Sequence, residues 1–218
     1  MNHKKQVIDL DEISKQLGVP MESQKLPDGR EMSHPKWEKE HLNKAMKLFE
    51  PYRKAPDTVL LVTNSPAPWI TMAIINGMKP LIVNYLYPRP DGVELEMPRL
   101  KRGKQKNNYD VVFEIIEKGE KLFINMTSDR ADATNIGHHT FETKNLPNVM
   151  IPEIPKGKDV FIHAKGMFCV MVCVTLNYLT ESRSVSIACH DTDYFCGYSS
   201  DPARKIGDVE KRVLPNNL

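Results

Sequence analysis

Two segments of this chain repeat one pattern, and that repeat limits the folds open to it. The first runs Asp57-Thr58-Val59-Leu60-Leu61-Val62, then a polar loop Thr63-Asn64-Ser65-Pro66, an apolar helix-like stretch to Met78, and Leu81-Ile82-Val83. The second runs Asp159-Val160-Phe161-Ile162, then His163-Ala164-Lys165-Gly166, an apolar stretch to Leu179, and Val185-Ser186-Ile187-Ala188. Each reads strand, polar turn, buried helix, strand, and each ends in a polar tip: Tyr87-Pro88-Arg89-Pro90-Asp91-Gly92 in one, His190-Asp191-Thr192-Asp193-Tyr194 in the other. A turn from strand to helix aims backbone N–H groups at whatever lies above it, which suits an anion. The period of about one hundred residues is far longer than that of solenoid repeats, so the pattern points to a duplicated pocket or to two halves of a pseudo-symmetric one. The competing reading is that any two βαβ units look alike.

The expected fold class is α/β in the broad sense (α+β): two related strand-turn-helix-strand units with mixed sheets, plus a helical N-terminal segment. At 218 residues the chain suits one large domain or two small ones. The boundary is expected in the basic, glycine-containing stretch Arg99 to Asn108, which has no apolar periodicity. That gives a helical lead-in and degenerate first unit over 1–108 and a second domain over 109–218. The basic stretch is read as a solvated linker, with phosphate contact as the alternative.

Within the lead-in, Asp9 to Leu17 predicts a short helix stopped by Gly18 and Pro20. Leu26-Pro27-Asp28-Gly29-Arg30 predicts a turn. A second helix is expected to begin near Pro35 with Ser33 or His34 as its cap. Its apolar stripe is Trp37, His41, Leu42, Ala45, Met46, Phe49 and Tyr52. Further on, Val93 to Met97 alternates as a strand, and Val111–Ile116 with Leu122–Met126 predicts a hairpin.

Composition narrows the partners. The formal charge of +2 argues against duplex DNA or an anionic membrane as a bulk partner. No apolar run reaches the roughly 18 residues of a membrane span, and the start shows no secretory leader. Cys169, Cys173, Cys189 and Cys196 lack the spacing of a zinc site, so buried free thiols in a cytoplasmic protein are expected.

The residues fit for chemistry gather at the loops. Lys165 and Gly166 follow one buried strand and precede a helix, so cation, glycine and helix end all favour an anion there. Asn64 and Ser65 hold the matching place in the first unit, and His163 ends the strand before the lysine loop. His163 is a candidate for the same mouth or a satisfied core histidine. Asp191 and Asp193 share a strand face and suit a divalent cation; a solvated turn is the alternative. His190 is the candidate acid or base; a surface histidine with no task is the alternative. His138 and His139 are adjacent and point to no complete metal site. The common nucleotide and hydrolase signatures are absent.

These segments, taken in order, resemble a known family: the small CRISPR-associated ring nuclease of type III systems, here in a tandem or duplicated form. The likeness covers 109–218. It rests on the Val111–Met126 hairpin, Met150-Ile151-Pro152-Glu153-Ile154-Pro155, the strand Asp159–Ile162, the loop His163-Ala164-Lys165-Gly166-Met167, the helix to Leu179, Ala188-Cys189-His190-Asp191, and Ile206-Gly207-Asp208-Val209. Residues 57–97 look like a partial second copy, with Pro66 and Trp69 near the family's Pro-x-Trp and Pro88-Arg89 at its Pro-Arg.

The resemblance implies a ligand, cyclic tetra-adenylate, and a manganese-assisted cleavage of the ring. It also implies Asp191, Lys165 and Gly166 as site residues. The chain departs from the family where Thr192-Asp193 replace Pro-Arg, where Lys165 replaces an arginine, and where the family's histidine falls near Ser182. In the first copy Lys79-Pro80 stands at the histidine's place and Tyr87 at the aspartate's. The expected assembly is a homodimer or higher homo-oligomer. The rival readings are a sensor or sponge that binds the messenger without turnover, and an unrelated small-molecule α/β enzyme.

Overall fold

The computed structural model describes residues 4–25, 29, 31–52, 58–63, 67–78, 82–86, 94–103, 111–128, 143–164, 168–189 and 193–212. The chain is an α+β protein with mixed sheets, and it divides into two compact units, 1–94 and 95–218.

The first unit opens with strand β1 (Lys4–Ile8), helix α1 (Leu10–Leu17), an antiparallel hairpin of β2 (Met21–Lys25) and β3 (Glu31–Pro35), and helix α2 (Lys39–Phe49). Then come β4 (Thr58–Val62), α3 (Pro68–Met78), β5 (Ile82–Leu86) and, where the first unit passes into the second, the short β6 (Glu94–Glu96). β4 runs parallel to β1 on one side and to β5 on the other. Val59, Leu60, Leu61 and Val62 are all buried, as the central strand of a parallel sheet covered on both faces must be. α3 is buried along nearly its whole length, from Pro68 through Ile75 and again at Met78.

The short helix expected from Asp9 to Leu17 is α1. Its N-cap Asp9 accepts from the N–H groups of Asp11 and Glu12, and Gly18 closes it in the left-handed region at φ 65°. The second expected helix starts four residues late. Pro35 ends β3 instead of opening α2, whose N-cap is Glu38. The physical reason is local: His41 Nδ1 accepts from the Glu38 N–H at 3.1 Å, a capping box with histidine in the role usually taken by glutamate. Of the apolar stripe, Trp37, His41, Leu42, Ala45 and Phe49 are buried and Met46 and Tyr52 are half-buried. At Gly77 of α3 an added Cβ would meet the far end of the flexible Met46 side chain of α2, which would have to turn aside. The lead-in thus carries the two helices expected of it, together with β1 and the β2–β3 hairpin.

The second unit contains β7 (Lys101–Arg102), the hairpin of β8 (Val111–Lys118) and β9 (Lys121–Ser128), β10 (Met150–Ile151), β11 (Asp159–Ala164), α4 (Phe168–Tyr178), β12 (Ser184–Cys189), β13 (Tyr194–Ser199) and β14 (Val209–Glu210). Its main sheet has the order β14-β13-β12-β11-β9-β8, and β7 pairs with β10 apart from it. β11 is parallel to both β9 and β12, while β13 turns back antiparallel. The two units therefore share a core of three parallel strands: β1-β4-β5 in one, β9-β11-β12 in the other. In each, the central strand leads through an eleven-residue apolar helix to the third strand.

One face of the second sheet carries a small aromatic core. Phe123 stacks on Phe161 at 4.9 Å, and Tyr194 meets Phe161 edge-on at 5.2 Å. Arg204 and Lys121 lie over the Phe161 ring at 4.9 and 5.7 Å. Tyr194 takes its place in this core with almost no exposure, and burial pushes its hydroxyl up to about 12.

Candidate functional site

Parallel strands present their C-terminal ends at one edge of a sheet, and loops leaving that edge converge. In the second unit Ala164, the last residue of β11, is in register with Cys189, the last of β12, and with Met126 near the end of β9. Lys165 and Gly166 follow Ala164 in the sequence, and His190 and Asp191 follow Cys189. The edge thus gathers the strand ends from which both expected loops depart. Lys165, Gly166, His190, Asp191, Asn64, Ser65, His138 and His139 themselves lie outside the described residues.

His163 sits one residue short of that edge and is 7% exposed. Its register partners are Asn125 and Ala188, and strand alternation puts it on the face of Phe161 and Asp159. It is a buried, engaged side chain beneath the mouth.

Asp193, the other expected ligand of a cation, is half-buried just before β13. Its Oδ1 accepts from the Arg212 backbone N–H at 3.0 Å, which ties the start of β13 to the residues after β14. Among the described residues no group of three metal-ligating side chains comes together. Ser182, where the resemblance would put a histidine, is buried and donates its hydroxyl to the Tyr178 carbonyl at 2.8 Å. It closes the C-terminal end of α4.

Charged groups at the opposite end of β11 neutralise one another. Arg183 forms a two-pronged contact with Asp159, Nη2 to Oδ2 at 2.6 Å and Nε to Oδ1 at 3.1 Å, and Ser184 donates to the same carboxylate at 2.7 Å. Burial raises the Asp159 pKa; the hydrogen bonds from Arg183 and Ser184 and the charges of Arg183 and Arg204 outweigh it and hold the carboxyl below its usual value. Arg204 bonds Ser186 and Glu210, and Glu210 also takes Lys121. This end is a brace that ties β11, β12 and β14 together.

Within the basic stretch after residue 98, of which 104–108 lie outside the described residues, Arg99 and Lys101 are exposed and Arg102 is half-buried. Arg102 donates to the Asn177 carbonyl at 2.9 Å, pairs with Glu181 at 2.9 Å and lies 5.0 Å from the Tyr178 ring centre. A cation at the C-terminal end of α4 complements its dipole. Asn177 adds to the same seam, accepting from the Leu100 N–H at 2.9 Å and donating to the Pro98 carbonyl at 3.2 Å. Cys173 and Cys196 are buried free thiols, as expected, and burial pushes the Cys196 thiol up.

In the first unit Asp9 and Thr63 meet in a contact that sequence reasoning did not supply. Thr63, which follows β4, donates its hydroxyl to Asp9 Oδ2 at 3.0 Å, and its N–H to the Ile8 carbonyl at 3.0 Å. Asp9 therefore caps α1 with one oxygen and clasps the end of β4 with the other. The signal was available: an Asp between a strand and a helix stands where an N-cap belongs. What sequence could not supply was the parallel pairing of β1 with β4 that brings Thr63 to it. The α1 N-terminus, an anion site in principle, is already filled by this carboxylate.

No protein-family model, curated protein or solved structure matches this chain.

Proposed function

We propose that this chain binds cyclic tetra-adenylate at the C-terminal edge of its parallel strands and cleaves the ring, ending an antiviral signal of type III CRISPR systems inside the cytoplasm. The observation that carries the reading is the register of Ala164 with Cys189. It supports a shared mouth for a phosphate-binding turn, Lys165-Gly166, and an acid/base tip, His190-Asp191. The first unit repeats the order of three parallel strands, and Asn64-Ser65 comes shortly after its central strand in the sequence as Lys165-Gly166 follows that of the second unit.

In this reading Lys165 and the Gly166 backbone bind a phosphate, with His163 supporting them from below. The ribose 2′-hydroxyl of the ligand attacks its own phosphorus. The O2′–P bond forms and the P–O5′ bond breaks, giving a cyclic 2′,3′-phosphate and a free 5′-hydroxyl. His190 takes the 2′-hydroxyl proton, and a proton is returned to the leaving 5′-oxygen. Manganese near Asp191 and Asp193 belongs to the proposal and would neutralise charge on the phosphoryl oxygens.

A second reading, a binder without turnover, is favoured by one observation: Ser182, at the histidine position of the resembled family, is spent on a helix-end hydrogen bond. One experiment separates them. The purified chain is incubated with cyclic tetra-adenylate, with and without manganese, and the products are resolved by chromatography. Linear or shorter products support the nuclease. A retained but intact ring supports the binder, and no retention removes both.

A further inference from the structure

We infer that the outer edge of β8 is a self-complementary surface, which pairs antiparallel with the β8 of a second copy of this chain in one register centred on Ile116.

The two edges of the six-stranded sheet differ. β14 is a strand of two residues, a short edge of the kind that resists pairing. β8 is eight residues long, contains no proline, and pairs with β9 from Val111 to Lys118 without a register shift. Among the described residues no strand pairs with its other side. It also exposes Val112 and Ile115, at 36% and 40%. A long, regular, partly apolar edge is a template for another strand.

The turn decides which backbone groups face outward. Gly119 and Glu120 join β8 to β9, with Gly119 at φ 56°, as a tight two-residue hairpin allows. The closing pair of such a hairpin, Lys118 with Lys121, exchanges both its hydrogen bonds. Alternation then leaves the N–H and C=O groups of Ile115 and Glu117 pointing away from β9. A second β8 must meet them odd residue to odd residue.

Charge selects one register among those that remain. Centred on Ile116, Glu114 faces Lys118 of the second copy, and Lys118 faces its Glu114. The two-fold axis thus supplies two opposite-charge pairs around an Ile116–Ile116 contact. Centred on Glu114 or on Glu117, the strand sets glutamate against glutamate. Centred on Ile115, no charge finds an opposite. Opposite charges directly across an antiparallel pair stabilise it and like charges oppose it. Glu114 and Lys118 are both exposed, so each can reach across.

The inference does not depend on any ligand, and the test is a charge swap read by sedimentation velocity on the full chain. Wild type should sediment as a dimer that weakens with added salt, because the pairs are exposed. Glu114→Lys and Lys118→Glu should each raise the dissociation constant roughly tenfold or more, because symmetry turns both attractive pairs repulsive. The double variant Glu114→Lys/Lys118→Glu should dimerise like wild type. Circular dichroism on each variant confirms the fold, and the double variant serves as a further control for local damage. A monomeric wild type overturns the inference, as does a dimer that both single variants leave unchanged, or a double variant that stays monomeric.

Discussion

Ala164 and Cys189 are paired in register as the last residues of two adjacent parallel strands. The chain continues from each into a segment that sequence chemistry had already marked. From Ala164 it enters Lys165-Gly166, a cation and a glycine; from Cys189 it enters His190-Asp191, a base and a carboxylate. One sheet edge therefore serves both, and the roles assigned to them differ.

That difference can be measured. Lys165→Ala should weaken binding of cyclic tetra-adenylate by about tenfold, the scale of one lost charge-assisted phosphate contact. Asp191→Ala should leave binding intact and abolish turnover. Binding is followed by titration and turnover by chromatography. If Asp191→Ala removes binding while Lys165→Ala only slows cleavage, the roles are reversed and the assignment fails.

Asp159 sets an acid limit on the second unit. Its folded pKa lies below the ordinary value of 3.8 because Arg183, Ser184 and Arg204 outweigh the effect of burial. The stability it contributes is present above that ordinary value, and it disappears as the pH falls below it through the folded value. Asp159→Asn should thus be less stable than wild type in urea unfolding at pH 7. The gap should narrow at pH 3, where wild type begins to lose the same charge. An equal gap at both pH values would assign the loss to packing instead of to the ion pair.

The helices and strands of the repeat were legible because their apolar runs are short, continuous and bounded by polar turns. Val59–Val62 and Val160–Ile162 read as buried strands, and both are. The hairpin at Gly119 was legible from its turn chemistry. β1 was missed because Lys4-Lys5-Gln6-Val7-Ile8 does not alternate; it is a strand only through its pairing with β4. The start of α2 was misplaced because Pro35 carries a strong helix-opening signal, which the β2–β3 hairpin overrides. Arg102 read as part of a solvated run, since composition cannot show that Glu181 and Asn177 lie across from it. Of the candidate site the sequence offered residue types that follow strand ends; the pairing that sets Ala164 beside Cys189 was the part it lacked.

Gly18 offers a test of local backbone against packing. It closes α1 at φ 65°, and nothing lies within 4 Å of where a Cβ would stand. Gly18→Ala should therefore cost about 1 kcal/mol through conformation alone. Gly18→Asn should cost less, because asparagine tolerates the left-handed region, and Gly18→Val should cost more. Urea unfolding gives the order. Equal losses for Ala, Asn and Val would mean that α1 ends in some other way.

Asp9 tests whether the first unit takes part in ligand binding. Its carboxylate caps α1 and accepts from Thr63 at the end of β4, one residue before Asn64 in the chain. A negative charge at that mouth opposes a phosphate. Asparagine is as good an N-cap as aspartate, so Asp9→Asn should keep α1 capped while removing the charge, and its cost should be no more than that of Thr63→Val, which breaks the same hydroxyl contact. If Asn64 and Ser65 bind a phosphate of the ligand, affinity for cyclic tetra-adenylate should rise roughly threefold to tenfold, and more at low salt than at high. Thr63→Val, which keeps the charge and removes the hydroxyl, should give no such gain. An affinity indifferent to Asp9→Asn at every salt concentration would confine binding to the second unit, and the duplicated cradle would have to be abandoned.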